Sequence, residues 1–456
     1  MTMTDSPTPR AATAATDRVI AVTSDAHVAP LLNEQLRDYC PKKYLDDFDE
    51  FVKFNDSLPQ RMGGPERTDN PRLSHYRNAL TTGGWDVHQR LRDMDRDGVA
   101  GEIVFHGLNA GRQDLMPFNG AFGAFGIRGF DQELVAAGRH MYNRWLADFC
   151  SVEPDRHAGL AHVPIWDPEA AADEIEWAAE AGLKGINFPR PQPANPAYND
   201  PAWDRFYAAA AANNMPLTTH AQAAGAPPVS QKPKPGDFEV YTLEIMGEGG
   251  RTALPLLLFG GVFDRHPNLK LVYTEVVDDW WPTTMARLDD FYLNFSSKLE
   301  SLPEVLRVDT GPYPPTKLSA LPSELCKQHV FIGWSCIAPF EAARAVEGGF
   351  DSQILWGSDY PHPEGSWQYP RSDDEVPITH LHLRDSFAAV PADKAAGMIG
   401  VNAANVYGMD VAKLQEVANR INSLTFQQLS VPYEDPVEDV LTRSARFCFR
   451  RSGPFG

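Results

Sequence analysis

Six titratable side chains of this chain end short apolar runs, where a barrel or a sheet would gather them at one edge. They are Asp25 and His27, His106, His220, Glu275 and Asp359. Imidazole nitrogens and carboxylate oxygens together make a donor set for zinc, iron or manganese. Burying several carboxylates side by side without a cation is costly in repulsion and lost hydration, and a divalent ion removes that cost. Such an ion also lowers the pKa of a bound water toward about 7, so that a nearby carboxylate can take its proton. His362, three residues beyond Asp359, adds a further nitrogen donor. One strand-end histidine is more often a packed residue than a ligand. Six such groups at the ends of five runs point to metal chemistry.

Placing them requires a repeated scaffold, and the chain carries one. Apolar runs at Arg18–Ser24, Ala100–His106, Gly159–Pro164, Leu183–Phe188, Pro216–His220, Leu269–Glu275, His329–Trp334 and Ile354–Ser358 read as eight strands. Helix signals lie between them. Asp167-Pro168-Glu169 is an N-cap, a proline at the first helical position and an acidic first turn, with a stop at Gly182. Asp200-Pro201 repeats the device, and Trp203, Phe206, Tyr207 and Ala210 fall on one helical face. Eight strand–helix units predict an α/β fold, the (β/α)8 TIM barrel, with catalytic groups at the C-terminal ends of the strands. A doubly wound sheet also alternates, but it places a glycine-rich phosphate turn after its first strand, where this chain has Asp25-Ala26-His27.

Several motifs resemble the amidohydrolase-related (amidohydrolase 2) family, in the branch of aminocarboxymuconate semialdehyde decarboxylase and the resorcylate decarboxylases. They are Ser24-Asp25-Ala26-His27-Val28, Thr218-Thr219-His220-Ala221, Gly260 through Lys270, Trp356-Gly357-Ser358-Asp359-Tyr360-Pro361-His362 and Asn402 through Gly408. The resemblance covers roughly residues 18–410. It implies that Asp25, His27, His220 and Asp359 hold a divalent metal, zinc first with iron or manganese as alternatives, and that Asp359 doubles as a base. The sixth strand departs from the decarboxylase pattern: Glu275 stands where those enzymes often carry a histidine, which leaves it open as a base, a ligand or a bridge between two ions. With His106, Glu275 and His362 as further ligands there are donors enough for two metals. The expected activity is hydrolysis or non-oxidative decarboxylation of a small, carboxylate-bearing molecule, with Asp359 and Glu275 moving protons. One alternative is a non-haem dinuclear iron or manganese monooxygenase on the same barrel; another is a mononuclear-metal accessory subunit of such an enzyme. Arg190, after the fourth strand, suits a substrate carboxylate, and Trp280 and Trp281 suit a pocket wall. His162, His266 and the His380/His382 pair read as structural.

The remaining features bound the partners. A formal charge of -20 and the absence of a Lys/Arg run exclude a nucleic-acid partner. No apolar stretch reaches the roughly 18 residues a membrane span needs. Five dispersed cysteines without a CxxC pair suggest a reduced, cytoplasmic setting. The expected organisation is a flexible tail over 1–17, a barrel over 18–408 with rim insertions at about 30–90 and 108–130, and a C-terminal extension over 409–456. The insertions would sit over the active face as lids or subunit contacts, and the extension would pack outside the barrel or on a partner. The expected assembly is a homo-oligomer, or a hetero-oligomer with a homologous subunit.

Overall fold

The computed structural model describes residues 17–57, 77–107, 115–118, 131–192, 195–220, 235, 251–301, 317–433 and 446–449. Eight strands lie among them: β1 (Ala21–Val28), β2 (Val99–His106), β3 (His157–His162), β4 (Gly185–Asn187), β5 (Leu217–His220), β6 (Leu271–Thr274), β7 (Val330–Trp334) and β8 (Ile354–Trp356). They pair in chain order, and every pair is parallel. The seam is drawn together just beyond β8, where Asp359 N donates to Asp25 O at 3.0 Å and His27 N to Tyr360 O at 2.7 Å. The nearly closed barrel therefore brings the first and last motifs together through their own backbones.

The helices form where their caps put them. Asp167 accepts hydrogen bonds from Glu169 N and Ala170 N at the start of the helix Pro168–Glu180, and Gly182 turns the chain at φ 89°. Asp200 caps a single 3-10 turn, which leads into the helix Asp204–Ala212. Trp203, Phe206, Tyr207 and Ala210 are all fully buried against the barrel. Burial of such a face supplies most of a short helix's stability, since its intrinsic propensity alone is marginal.

The described part of the first insertion braces the barrel. Asn78 is 1% exposed and donates to Pro361 O (3.0 Å) and Trp367 O (3.1 Å), while its Oδ1 accepts from Tyr369 N (2.8 Å). Thr81 and Tyr360 both donate to Asp93 Oδ2, at 2.6 and 2.7 Å, and the Arg90 guanidinium lies 3.5 Å above the Tyr360 ring. The segment between β1 and β2 thus grips the loop that follows β8. Residues 58–76, and residues 108–114 and 119–130 of the second insertion, lie outside the described residues, as do 1–16 of the tail. In the extension, the helix Val411–Arg420 packs Leu414, Val417 and Ala418 with Ile20, just before β1, and with Val22, Ala100 and Ile103 of β1 and β2. Among the described residues no helix is long and apolar enough to cross a membrane.

Candidate metal centre

Asp25 and His27 share a face of β1, as residues two apart do on a pleated strand. The ladder to β2 is irregular between Thr23 and Ala26, and such bulges re-aim side chains at barrel rims. Thr23 Oγ1 stabilises the irregularity by donating to Asp25 O at 2.7 Å and accepting from Ser358 N at 2.7 Å. His220 ends β5, and Asp359 follows β8. Asp25 Oδ1 lies 3.1 Å from His27 Nε2 and 3.4 Å from His220 Nε2; Asp359 Oδ1 lies 3.3 Å from His27 Nε2. Donors about 2.1 Å from a common ion stand about 3.0–3.4 Å apart in octahedral or tetrahedral arrangement. The separations match that range. Asp25 Oδ1, His27 Nε2 and Asp359 Oδ2 are buried with no hydrogen-bond partner. Buried polar atoms without partners are rare, and converging ones have the chemistry of a cation site.

The surrounding residues hold this set in place. Ser335, directly after β7, donates to Asp25 Oδ2 at 2.5 Å. A Cβ at Gly107 would fall 2.2 Å from His27 Nδ1, so only glycine lets β2 approach that ring. His362 stacks on His27 at 4.1 Å between centroids, with its Nδ1 3.0 Å from Asp359 Oδ1. Glu275 directly follows β6, with its Oε2 3.6 Å from His220 Nδ1. Both Glu275 (φ 60°) and Asp359 (φ 54°) occupy the left-handed backbone region, which costs a residue bearing a side chain roughly 1–2 kcal/mol. Glu275, Asp359 and Glu364 can bring one oxygen each within 4.8 Å of one another.

Charge is crowded here. Burial alone would raise the Asp25 carboxyl, but His220 and His27 hold it well below the usual range. Burial would also discharge His362; Asp359 outweighs it and carries that imidazole up to about 10. Glu275 goes the other way: burial, against the pull of His220 and with the push of Asp359, Asp25 and Glu364, takes it up to about 8. Without a cation, protons on His362 and Glu275 offset the carboxylates.

The other expected site residues fall elsewhere. His106 is absent from the clustered donors; its ring meets Tyr142 at 5.0 Å and His162 at 6.0 Å. Arg190 is half-buried in the stretch after β4. Trp280 and Trp281 pack into the core among the described residues: Trp280 lies edge-on to Tyr273 with Arg251 over its ring, and Trp281 packs on Phe350. The physical reason is the helix Trp281–Asn294, which begins at once after β6 and turns its first residues inward. His382 Nδ1 meets Cys448 O at 2.7 Å, away from the centre. Glu364, Ser335 and Asn78 were missing from the sequence reading. Ser335 was open to the strand-end rule, though it is a hydroxyl and not a titratable group.

A model of the amidohydrolase family matches residues 85–409. Gamma-resorcylate decarboxylase of Rhodococcus jostii (strain RHA1) is 29% identical over 218 residues, which are 44% of this chain and 58% of that one. The chain thus matches little more than half the length of this curated relative. The 5-carboxyvanillate decarboxylase of Sphingomonas paucimobilis superposes with a TM-score of 0.55 at 19% identity, over 86% of this chain and 100% of that one. The 5-carboxyvanillate decarboxylase of Novosphingobium aromaticivorans DSM 12444, complexed with manganese and 4-hydroxy-3-methoxy-5-nitrobenzoic acid, gives 0.56 at 20% identity, over 88% and 100%. At these identities the likeness is one of fold.

Proposed function

The chain belongs to the amidohydrolase family, and from that premise we propose that it is a metal-dependent decarboxylase of small aromatic carboxylic acids. The observation that carries the reading is the convergence of Asp25 Oδ1, His27 Nε2 and Asp359 Oδ1, with 3.1 and 3.3 Å between neighbours, in a buried cluster at the C-terminal rim of a barrel. Asp25, His27, His220 and Asp359 would hold the metal. A divalent cation there would polarise the substrate's carboxylate and its neighbouring oxygen and offset their charge. Manganese stands beside zinc as the ion to test, because one neighbour of the same fold carries it.

Decarboxylation breaks the bond between ring carbon and carboxylate, leaves the electron pair on the carbon, and needs one proton in place of the carbon dioxide lost. Glu275 is placed to supply that proton: it borders the donor set at His220, and its burial favours the protonated form. Asp359, held by His362 and by the backbone of β1, would accept a proton from a bound hydroxyl. Hydrolysis would use the same centre with Asp359 as base; the decarboxylase relatives favour the first reaction. A second reading, two ions in one centre, is favoured by the approach of Glu275 and Glu364 to Asp359, and would suit an oxygen-activating enzyme.

The test is release of carbon dioxide from gamma-resorcylate and related hydroxybenzoates by protein loaded with manganese or zinc. Turnover that is lost to a chelator and restored by the ion supports the reading. A loaded protein inert toward the whole series would overturn it.

A further inference from the structure

Two of the five cysteines meet at one backbone oxygen. Cys336 lies just beyond β7, next to Ser335, whose hydroxyl donates to Asp25 Oδ2. Cys448 lies in a single 3-10 turn, Arg446–Phe449, far along the chain. The Cys336 thiol donates to Glu364 O with its Sγ at 3.6 Å, and the Cys448 thiol donates to the same oxygen at 3.5 Å. The two sulfurs are therefore no more than about 7 Å apart. Rotation about each Cα–Cβ bond moves a sulfur by roughly 3 Å, which is enough to bring them together. Both residues belong to one buried apolar cluster with Ile378, Leu381 and Phe449. One helix, Ile378–Phe387, fixes both backbones: His382 Nδ1 donates to Cys448 O at 2.7 Å, and Ser386 Oγ donates to Ile337 O at 2.6 Å. His382 and Ser386 stand one turn apart on that helix, so one face holds the two cysteine-bearing segments side by side. The other three cysteines sit on separate elements, and burial pushes Cys40 up to about 11, Cys326 up to about 12 and Cys150 well above its ordinary value.

We propose that Cys336 and Cys448 form a redox latch: as thiols they hold the loop after β8 through the Glu364 carbonyl, and oxidised to a disulfide they release it. That loop brings the Glu364 carboxylate toward Asp359 and Glu275. A disulfide has no proton to donate, so a single oxidation removes both thiol donors from Glu364 O. The loop is then left to its other bonds, among them Gly365 N to His362 O and Ser366 N to Ser358 O. The oxidant is a peroxide. Cys336, 6% exposed against 0% for Cys448, reacts first: its thiolate attacks a peroxide oxygen, the O–O bond breaks, and a sulfenic acid and hydroxide form. The Cys448 thiolate then attacks that sulfur, forming the S–S bond and expelling a second hydroxide. Two thiols thus lose two electrons and two protons, and hydrogen peroxide takes them up as two waters. A thiol reductant reverses the change. Reversible pairs of this kind serve redox sensing rather than stability.

The test treats the full chain with hydrogen peroxide, blocks remaining thiols by alkylation and digests without reductant. A linked peptide pair joining Cys336 to Cys448, absent after dithiothreitol, is the expected product. Hydrogen–deuterium exchange over residues 362–368 should quicken at least about threefold on oxidation and return with reductant. Cys336→Ser and Cys448→Ser each keep a hydroxyl for the carbonyl but lose one sulfur, so peroxide should leave exchange over that loop unchanged. In manganese-loaded protein, oxidation should also weaken the ion about tenfold, and this arm alone rests on the metal reading. Failure of the linked pair to form, with Cys336 carried to sulfinic acid or left open to alkylation, overturns the proposal. A linked pair with unchanged exchange over 362–368 overturns it too, as do serine variants that respond to peroxide like wild type. A reduced chain that holds no manganese, yet forms the pair and opens the loop, sinks the metal reading and supports the latch.

Discussion

Replacing Asn78 with alanine should loosen the metal centre without touching a candidate ligand. The side chain is 1% exposed and spans the loop after β8, donating to Pro361 O and Trp367 O and accepting from Tyr369 N. Alanine strands two carbonyls and one amide. At about 1 kcal/mol for each buried hydrogen bond lost, Asn78→Ala should cost about 2–4 kcal/mol. A chain of this length has an unfolding entropy near 1 kcal/mol/K, so Tm should fall by about 2–4 °C. The same loop carries Asp359, His362 and Glu364, so manganese affinity should drop about tenfold or more, as for other partners that orient metal ligands. Asn78→Asp sharpens the test. It is nearly isosteric and keeps an acceptor for Tyr369 N, but it sets a carboxylate against the two carbonyl oxygens. It should be at least as damaging as alanine in both readouts. Differential scanning fluorimetry with and without manganese, together with a manganese titration, reads both quantities. Wild-type metal affinity in both variants would refute the idea that the insertion positions the centre.

Further outcomes follow from named residues. Glu275→Gln should retain the metal and lose turnover about 100-fold or more if Glu275 delivers the proton; loss of one of two bound ions would favour the dinuclear reading. Asp97, 3% exposed and hydrogen-bonded to Thr379, is pushed up to about 7 by burial. Its folded pKa lies above its unfolded value of 3.8, so the folded state binds the extra proton between those limits. The stability this contributes is complete below 3.8 and is lost as pH rises through about 7. The loss amounts to about 4 kcal/mol at most. Asp97→Asn should therefore flatten the fall of Tm between pH 5 and 8, and an unchanged pH dependence would show that Asp97 is not its source.

Much of the scaffold was legible because local chemistry and the global fold agree here. Apolar runs punctuated by Asp167-Pro168 and Asp200-Pro201 marked strands and helices in their observed order, with ends displaced by a few residues. The strand-end rule brought forward Asp25, His27, His220, Glu275 and Asp359, and the fold draws all five into one neighbourhood. It also brought forward His106, correctly on the rim but turned toward Tyr142 and His162. A strand-end position sets the face a residue occupies, while its neighbours set its reach. The missed residues act across distance. Asn78 meets Pro361 from 283 positions away, and no local pattern announces such a pairing. Glu364 joins the cluster only because the loop after Asp359 folds back, with Gly365 N bonded to His362 O and Ser366 N to Ser358 O. Trp280 and Trp281 were ambiguous in the sequence because aromatic residues after a strand suit a pocket wall and a core equally well. The helix that starts at Trp281 packs both rings into the core.

Elemental analysis of the divalent metal content of each chain, before and after loading with manganese and for wild type and His220→Ala together, tests the central claim most directly. The donor set predicts roughly one tightly held ion per wild-type chain, or two if Glu275 and Glu364 complete a second site, with most of it lost in His220→Ala. A wild-type chain that retains no ion after loading, or a His220→Ala chain that retains its full complement, would contradict it.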